Sequence, residues 1–519
     1  MQRGLSEDLR RERTPPALVT KVGVIDLGSN TARYVVFEGS RSGAVRPIYE
    51  TKDSPRLGID TGRDGTLSEG AFARGVATVR RFARIAHGLG FARTVAVATS
   101  AVRDAPNGAA FVREVDRATG LHLRVISGAE EARYGYLGAA SAWPLENDLV
   151  FDLGGGSMQL AEVRAGALRN SVSLPLGVLR MNQRFLEHDP PKRKEVDALR
   201  DQARDVLASS VRAFGGGSYR LIGLGGTVRS LARAAIELRE YPIRRVHGYP
   251  LYDYDIESLH ELLGEMPASK RRSVRGIGGD RADVVVAGLV VLEELLRAVR
   301  AERIIVSATG IREGIALEAI HAELPASAET LAARSIAAAC DSLSVGPERG
   351  RPPLEATALA LFDLLKARFD GAASERLALR VAAGLHDAGI AIDIWSHPRH
   401  AAYLVQNYPI WGLDQREVLL ASMVAYLHEG DPPPSDWKRQ YLPILGNRDL
   451  DLAVRLGAIL EAAEVVAPAR PRFSLPSGSR SLAVSFSADE DATLSPRWLE
   501  KLRRPMGRAF DLEVRQRDA

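Results

Sequence analysis

The apolar pattern of the chain begins abruptly at Val22. In VGVIDLGSNTARYVVFE, β-branched and apolar residues flank Gly28-Ser29-Asn30, which predicts a strand, a tight turn and a second strand. The stretch SEGAFARGVATVRRFARIAHGLG keeps its apolar residues on one helical face, with Gly88 and Gly90 near its end. TVAVATSA then reads as a buried strand leading into Arg103, and LRVISG as another that runs into a helix opening at Ser127. At Leu149 the opening design recurs, because LVFDLGGGSMQLAEV is again strand, glycine turn and strand, with Asp152 in the place of Asp26. LIGLGGTVRSLARAA and RIIVSATGIREGIALEAI repeat a strand–turn–helix order. From about residue 328 strand signals vanish, and Ala/Leu-rich helical periodicity runs to about 466. The last residues carry an alternating SLAVSF and a basic amphipathic WLEKLRRPMGRAF.

These patterns predict a charged, disordered arm over 1–19 and two α/β domains of like design over 20–145 and 146–322. An all-helical domain follows over 328–466, then a small α+β domain over 470–519. A length of 519 residues fits several cores rather than one. The composition, 45% hydrophobic and 26% charged, is globular. A net charge of +4 is compatible with a polyanionic ligand without requiring one. The single cysteine, Cys340, excludes an internal disulfide and a thiolate metal cluster, and its Ala-rich helical setting predicts a small core residue. No apolar run approaches a membrane span and no apolar leader precedes Val22, so a cytoplasmic protein is expected.

The chemistry concentrates at the glycine turns. A phosphate chain needs close backbone approach and N–H donors, which such turns supply, and a cation, which an Asp at a strand end can hold. One Asp–turn unit is common in plain hairpins; two at the same place in like domains, with Gly225-Gly226-Thr227 as a third turn, point to phosphate. Ser127 and Glu130 have the spacing of a capping box, which gives Glu130 a structural task. Glu131 is not needed for the cap. In the first helical turn it is expected to stay ionised, free to deprotonate a water. Arg56, in PRLGID, and Arg103 are candidates for bidentate phosphate contacts, or else surface arginines.

The ordered set GVIDLGSNTARYVV (23–36), RLG (56–58), ATSAVRDAPN (98–107), VISGAEEARYGYLG (125–138), VFDLGGGSMQL (150–160), GLGGTVRSLA (223–232), GDRADVVVAG (279–288) and SATGIREG (307–314) resembles the exopolyphosphatase / guanosine pentaphosphate phosphohydrolase (Ppx/GppA) family. The resemblance implies two actin-like (ASKHA, ribonuclease H-like) α/β domains followed by an HD-like helical domain. It implies hydrolysis of inorganic polyphosphate or pppGpp with Mg²⁺, or Mn²⁺, as cofactor, and a homodimer. It assigns Glu131 as catalytic base, with Asp152 positioning metal and water. Gly28, Ser29, Asn30, Arg56, Arg103, Gly154, Gly155, Gly156, Ser157, Gly226 and Thr227 become phosphate-binding residues, and Asp26, Asp152 and Gln159 metal-binding ones. Gln159 departs from the family, where a Glu is usual, and so raises a second reading: a sensor that holds polyphosphate or (p)ppGpp without turnover.

LHDAGIAID and PRHAAYLVQN resemble the HD-like part of the longer members. His386-Asp387 is present, but no histidine lies between His321 and His386, and Glu464 is nearest by pattern to the late Asp that such metal sites need. His397, His400 and His428 are open either to a structural role or to metal. Basic clusters at 192–194, 271–275 and 501–508 extend a polyanion track or serve as solvated faces. No aromatic residues interleave with them, which speaks against nucleic acid.

Overall fold

The computed structural model describes residues 19–41, 44–59, 65–90, 93–214, 219–343, 351–476, 478–486 and 496–516, so the arm expected over 1–19 lies outside the described residues except for Val19. The chain divides into two compact units, 1–238 with 250–325, and 239–249 with 326–519.

The first unit holds two mixed sheets built to one plan. Strands β1 (Thr20–Leu27), β2 (Ala32–Gly39), β3 (Arg46–Asp53), β4 (Thr94–Ala98) and β5 (Leu123–Val125) form a sheet of order β3-β2-β1-β4-β5. Strands β6 (Asp148–Leu153), β7 (Met158–Arg164), β8 (Ala167–Leu174), β9 (Arg220–Leu224), β10 (Pro250–Tyr252) and β11 (Arg303–Val306) form one of order β10-β11-β9-β6-β7-β8. β1, β2, β3 and β4 correspond to β6, β7, β8 and β9, and β5 to β11, with the same antiparallel and parallel pairings. Even the register shift recurs: after Val36, ten residues beyond Asp26, and after Glu162, ten beyond Asp152. The edge strands β3 and β8 and the short β10 carry no apolar run and had no signal in the sequence.

β1 is buried on both faces, as its continuous apolar run requires. Ile25 and Leu27 join Val79 and Phe82 of the helix Glu69–Gly88 and Phe111 of the helix Gly108–Thr119. Val22 and Val24 face the other way, toward Tyr134, Ile315, Ala316 and Ile320. Those last three belong to the helix Ile311–Ile320, expected to close the second domain. It packs instead on β1 and on the helix Gly128–Ala140, covering a sheet face that would otherwise be bare. Amphipathic periodicity marks a buried face but not which sheet receives it. The two helices approach so closely that a Cβ at Gly138 would lie 1.9 Å from Gly310 O, and one at Gly314 2.1 Å from Tyr134 O.

The second unit is helical over Ala328–Ser342, Arg351–Leu365, Ala373–Leu385, His397–Asn407, Gln415–Leu427 and Asp449–Val466, as the periodicity predicts. Cys340 is buried among them. The tail pairs strands β12 (Arg472–Ser474), β13 (Ser481–Ser485) and β14 (Glu513–Gln516) beside the helix Pro496–Phe510. Residues 239–249 belong to this unit although the reading of the sequence placed them in the second α/β domain. The Arg245 guanidinium donates to Tyr408 O and Ile410 O at 3.1 and 2.8 Å, and Gln415 Nε2 donates to Arg245 O at 2.6 Å. Among the described residues no helix is long and apolar enough to cross a membrane.

Candidate active site

The two hairpin turns close with the same hydrogen bond. Gly28 N–H donates to Thr31 O at 3.1 Å, and Gly154 N–H donates to Ser157 O at 3.0 Å. Each turn follows an aspartate at the end of a central strand, and across the hairpins Asp26 pairs in register with Arg33 and Asp152 with Gln159. The turns face one another: a Cβ at Gly155 would lie 3.1 Å from Ser29 Cβ, and one at Gly156 2.4 Å from Ser100 Oγ. The PRLGID loop straps the first turn, with Arg56 N–H donating to Asn30 O and Gly58 N–H to Ser29 O, at 3.1 and 2.9 Å. At the third turn Gly225 has φ +86°, and a Cβ there would lie 2.3 Å from Asp152 Oδ1. A larger residue would therefore be strained and would also displace the aspartate.

Between the turns lies an open cleft of about 860 Å³. Of the residues expected from the sequence, Asp26, Gly28, Ser29, Asn30, Glu131, Asp152, Gly154, Gly155, Ser157, Gln159 and Gly226 line it. Gly156 faces an adjoining groove with Ser29 and Ser100. Thr227 is buried and accepts from Arg281 Nη1 at 3.2 Å. Arg56 is not among the residues that line the cleft: its guanidinium is engaged by Asp283 and its backbone supports the first turn. Arg103 is likewise directed to a carboxylate, donating from Nη1 to Glu131 Oε2 at 2.5 Å and to Ile126 O at 3.0 Å.

Glu130 and Glu131 separate as their spacing predicts. Ser127 Oγ accepts from Glu130 N–H at 3.2 Å, and Glu130 Oε2 accepts from Ser127 N–H at 2.8 Å, completing the capping box. Glu131, 8% exposed, turns into the cleft. Its ionisation departs from expectation. Burial pushes its pKa up to about 7, with Asp152 and Asp26 adding to the rise and Arg103 opposing it. In a water-poor site the cost of burying charge exceeds what the helix dipole and one arginine return. Gln159 Nε2 lies within donating distance of Glu131 Oε2 (3.2 Å), Ser157 Oγ (2.8 Å) and Ser173 Oγ (3.1 Å). Its amide nitrogen thus faces the Glu131 carboxylate and two hydroxyls.

The cleft also holds basic residues that the reading of the sequence quoted but did not single out: Arg33, Arg229, Arg281 and Arg312. Each stands just after a turn motif (TAR, TVR, GDR, GIR), a repetition that would have marked them. These four arginines face three carboxylates, Asp26, Glu131 and Asp152, a balance suited to a polyanion. Arg312 Nη1 lies 3.9 Å from Asp26 Oδ2, and Arg229 Nη1 donates to Ala308 O at 3.0 Å. Burial, with Arg312 beside it, lowers the Arg229 pKa to about 10. Asp26 and Asp152 are both raised, first by burial, and each carboxylate adds to the other's or a neighbour's rise: Asp26 acts on Asp152, and Glu313 on Asp26. Asn30 Nδ2 donates to Asp280 O at 2.9 Å, and its buried Oδ1 has no partner among the described residues. Two crowded carboxylates among hydroxyl and amide oxygens, with no histidine or cysteine on the described wall, suit a hard dication.

A sequence model described as the Ppx/GppA phosphatase family matches residues 35–323, and one described as Ppx/GppA phosphatase, domain III, matches residues 335–486. The chain is 33% identical over 310 residues to a protein named Exopolyphosphatase 1 from Mycobacterium tuberculosis (strain ATCC 25618 / H37Rv), a match covering 58% of this chain and 89% of that one. It is 26% identical over 488 residues to a guanosine-5'-triphosphate,3'-diphosphate pyrophosphatase from Aeromonas hydrophila, covering 92% and 93% respectively. The crystal structure of an exopolyphosphatase from Cytophaga hutchinsonii is similar with a TM-score of 0.54 and 25% identity, over 59% of this chain and 99% of that one.

Proposed function

Because the chain belongs to the Ppx/GppA phosphatase family, we propose that it hydrolyses phosphoanhydride bonds, releasing terminal phosphate from inorganic polyphosphate by water attack in the cleft of the first unit. The observation that carries this reading is the pair of equivalent Asp–glycine turns facing each other with Glu131 on the wall between them. The turns offer backbone N–H donors to phosphate oxygens at close range, and Arg33, Arg229, Arg281 and Arg312 supply the counter-charge. Arg103 and Gln159 both reach Glu131 Oε2, which holds the carboxylate in place and leaves Oε1 to take the proton of the attacking water. Asp26 and Asp152 would hold Mg²⁺ or Mn²⁺. When bound, the ion neutralises charge on the phosphate tail. Gln159, expected among the metal ligands, is read here as a positioning residue for the base.

The same machinery serves the alternative substrate, pppGpp, whose 5′ end presents the same phosphate tail. The similarity to a guanosine-5'-triphosphate,3'-diphosphate pyrophosphatase along nearly the whole chain favours keeping this reading. Phosphate release from long-chain polyphosphate and from pppGpp, with Mg²⁺ or Mn²⁺, separates the two by kcat/KM. Glu131→Gln is expected to lower kcat on the better substrate by about 10²–10⁴-fold with KM little changed; a fall below about tenfold would remove Glu131 from the role of base. The sensor reading is favoured instead if the wild type binds either polyanion tightly, yields no phosphate, and is not rescued by Gln159→Glu. We read the helical residues 328–466 as an HD-like domain and the active protein as a homodimer. Sedimentation of the full chain tests the latter.

A further inference from the structure

Outside the cleft, the second unit brings together titratable side chains that the proposed reaction does not use. His386 and His428 follow the helices Ala373–Leu385 and Gln415–Leu427, and His397 opens the helix His397–Asn407. Asp387 follows His386, and Glu464 lies on the helix Asp449–Val466. Ligand atoms of His386, His428 and Glu464 lie within 4.8 Å of one another, as do those of Asp387, His397 and His428. The late Asp sought in the sequence is thus replaced by Glu464, and the missing upstream histidine by two from downstream. His400 is not among the converging groups.

The hydrogen bonds determine the state of the rings. His386 Nδ1 lies 3.0 Å from Ala383 O, His397 Nδ1 2.9 Å from Ile394 O, and His428 Nδ1 2.9 Å from Ala425 O. A carbonyl only accepts, so each Nδ1 carries a proton, and the lone pair that a neutral ring keeps is then the one at Nε2. Backbone carbonyls behind histidines are the usual support of metal-binding imidazoles. His397 Nε2 and His428 Nε2 are 3.3 Å apart. Two lone pairs at that distance repel unless a proton lies between them or a metal cation lies against both. A tetrahedral ion with metal–nitrogen bonds of about 2.0–2.1 Å separates its nitrogens by about 3.3 Å. Asp387 contributes negative charge at 3.6 Å from both His386 Nε2 and His397 Nε2. His428 belongs to both triads, and one lone pair serves one ion, so the two triads describe a single site.

We propose that His386, Asp387, His397, His428 and Glu464 form a binding site for one divalent transition-metal ion of the Zn²⁺ or Co²⁺ class. Three imidazoles select such ions over Mg²⁺, which keeps this site chemically apart from the oxygen-lined cleft. Its ligands come from four helical segments, so the bound ion ties the helical unit together.

The test uses the full chain, treated with a chelator, loaded with Co²⁺ and freed of excess ion. The proposal expects one tightly held Co²⁺ per chain with the visible d–d bands of a nitrogen-ligated ion, and a melting temperature raised by Zn²⁺. His397→Ala, whose ring is the most accessible of the three, should lose the bands and the Zn²⁺-dependent rise yet remain folded by circular dichroism. If it does not fold, His397→Gln serves the same comparison. Retention of no Co²⁺, or bands that persist unchanged in a folded His397 variant, would overturn the assignment. So would a His397–His428 pair that shares a proton instead, seen as melting indifferent to Zn²⁺ together with lower metal-free stability in the His397 variant.

Discussion

Glu131 operates between two opposing influences. Burial brings its pKa up to about 7, and the Arg103 hydrogen bond and charge hold it from rising further. In its proposed role as general base Glu131 must be ionised to act, so kcat/KM should fall as pH drops below about 7, with an acid limb of one proton. Arg103→Gln removes the lowering influence, so the limb should move to higher pH. A pH–rate profile checks both statements, and an unshifted limb in the variant would mean that Arg103 serves phosphate alone. The split between Glu130 and Glu131 was legible in the sequence because a capping box has a fixed spacing. The ionisation of Glu131 was not, because desolvation depends on what packs above the residue. Arg33 and Gln159 were legible as counterparts, since each stands seven residues after its aspartate, and the strand register places both opposite it. Arg56 shows the limit of motif reading, because its carboxylate partner lies 227 residues further along the chain.

At the level of elements, the helices Gly128–Ala140 and Ile311–Ile320 form one working piece. Glu131 stands in the first turn of one and Arg312 in the first turn of the other, and their glycines let the backbones touch. Gly138→Ala would push a methyl group against Gly310 O. Overpacking of this kind costs about 1–3 kcal/mol, against about 1 kcal/mol that alanine returns in helix propensity. The variant should therefore unfold at lower urea and also lose kcat, because separating the helices moves Glu131 and Arg312 apart. Unchanged stability and rate would show that the crossing is looser than described. The strands and turns on which these helices rest were evident from apolar runs and glycines, whereas the edge strands β3 and β8, half-exposed and polar, resemble loops in sequence.

For the molecule as a whole, four arginines converge in a cleft made by two copies of one sheet plan. Long-range attraction of a polyanion to such a surface weakens with salt. Raising ionic strength from about 0.01 M to about 0.15 M shortens the Debye length from about 30 Å to about 8 Å. KM for long polyphosphate should therefore rise several-fold over that range while kcat changes little, measured at fixed free Mg²⁺. A KM indifferent to salt would place the recognition elsewhere. The two-sheet plan was visible in the recurrence of the Asp–turn segments, but the exchange of the helix Ile311–Ile320 onto the first sheet was not, because it is decided by which surface lacks a cover.

The doubled plan has one further consequence, which follows from a mismatch between its two hairpins. A linear polyphosphate reads the same from either end, and a perfectly doubled cleft would offer it two interchangeable seats pointing opposite ways. Opposite Asp26 stands a cation, and opposite Asp152 an amide, so the seats differ. That difference makes the two ends of the groove chemically distinct, which under the proposed reaction would let them tell a terminal phosphate from the rest of the thread.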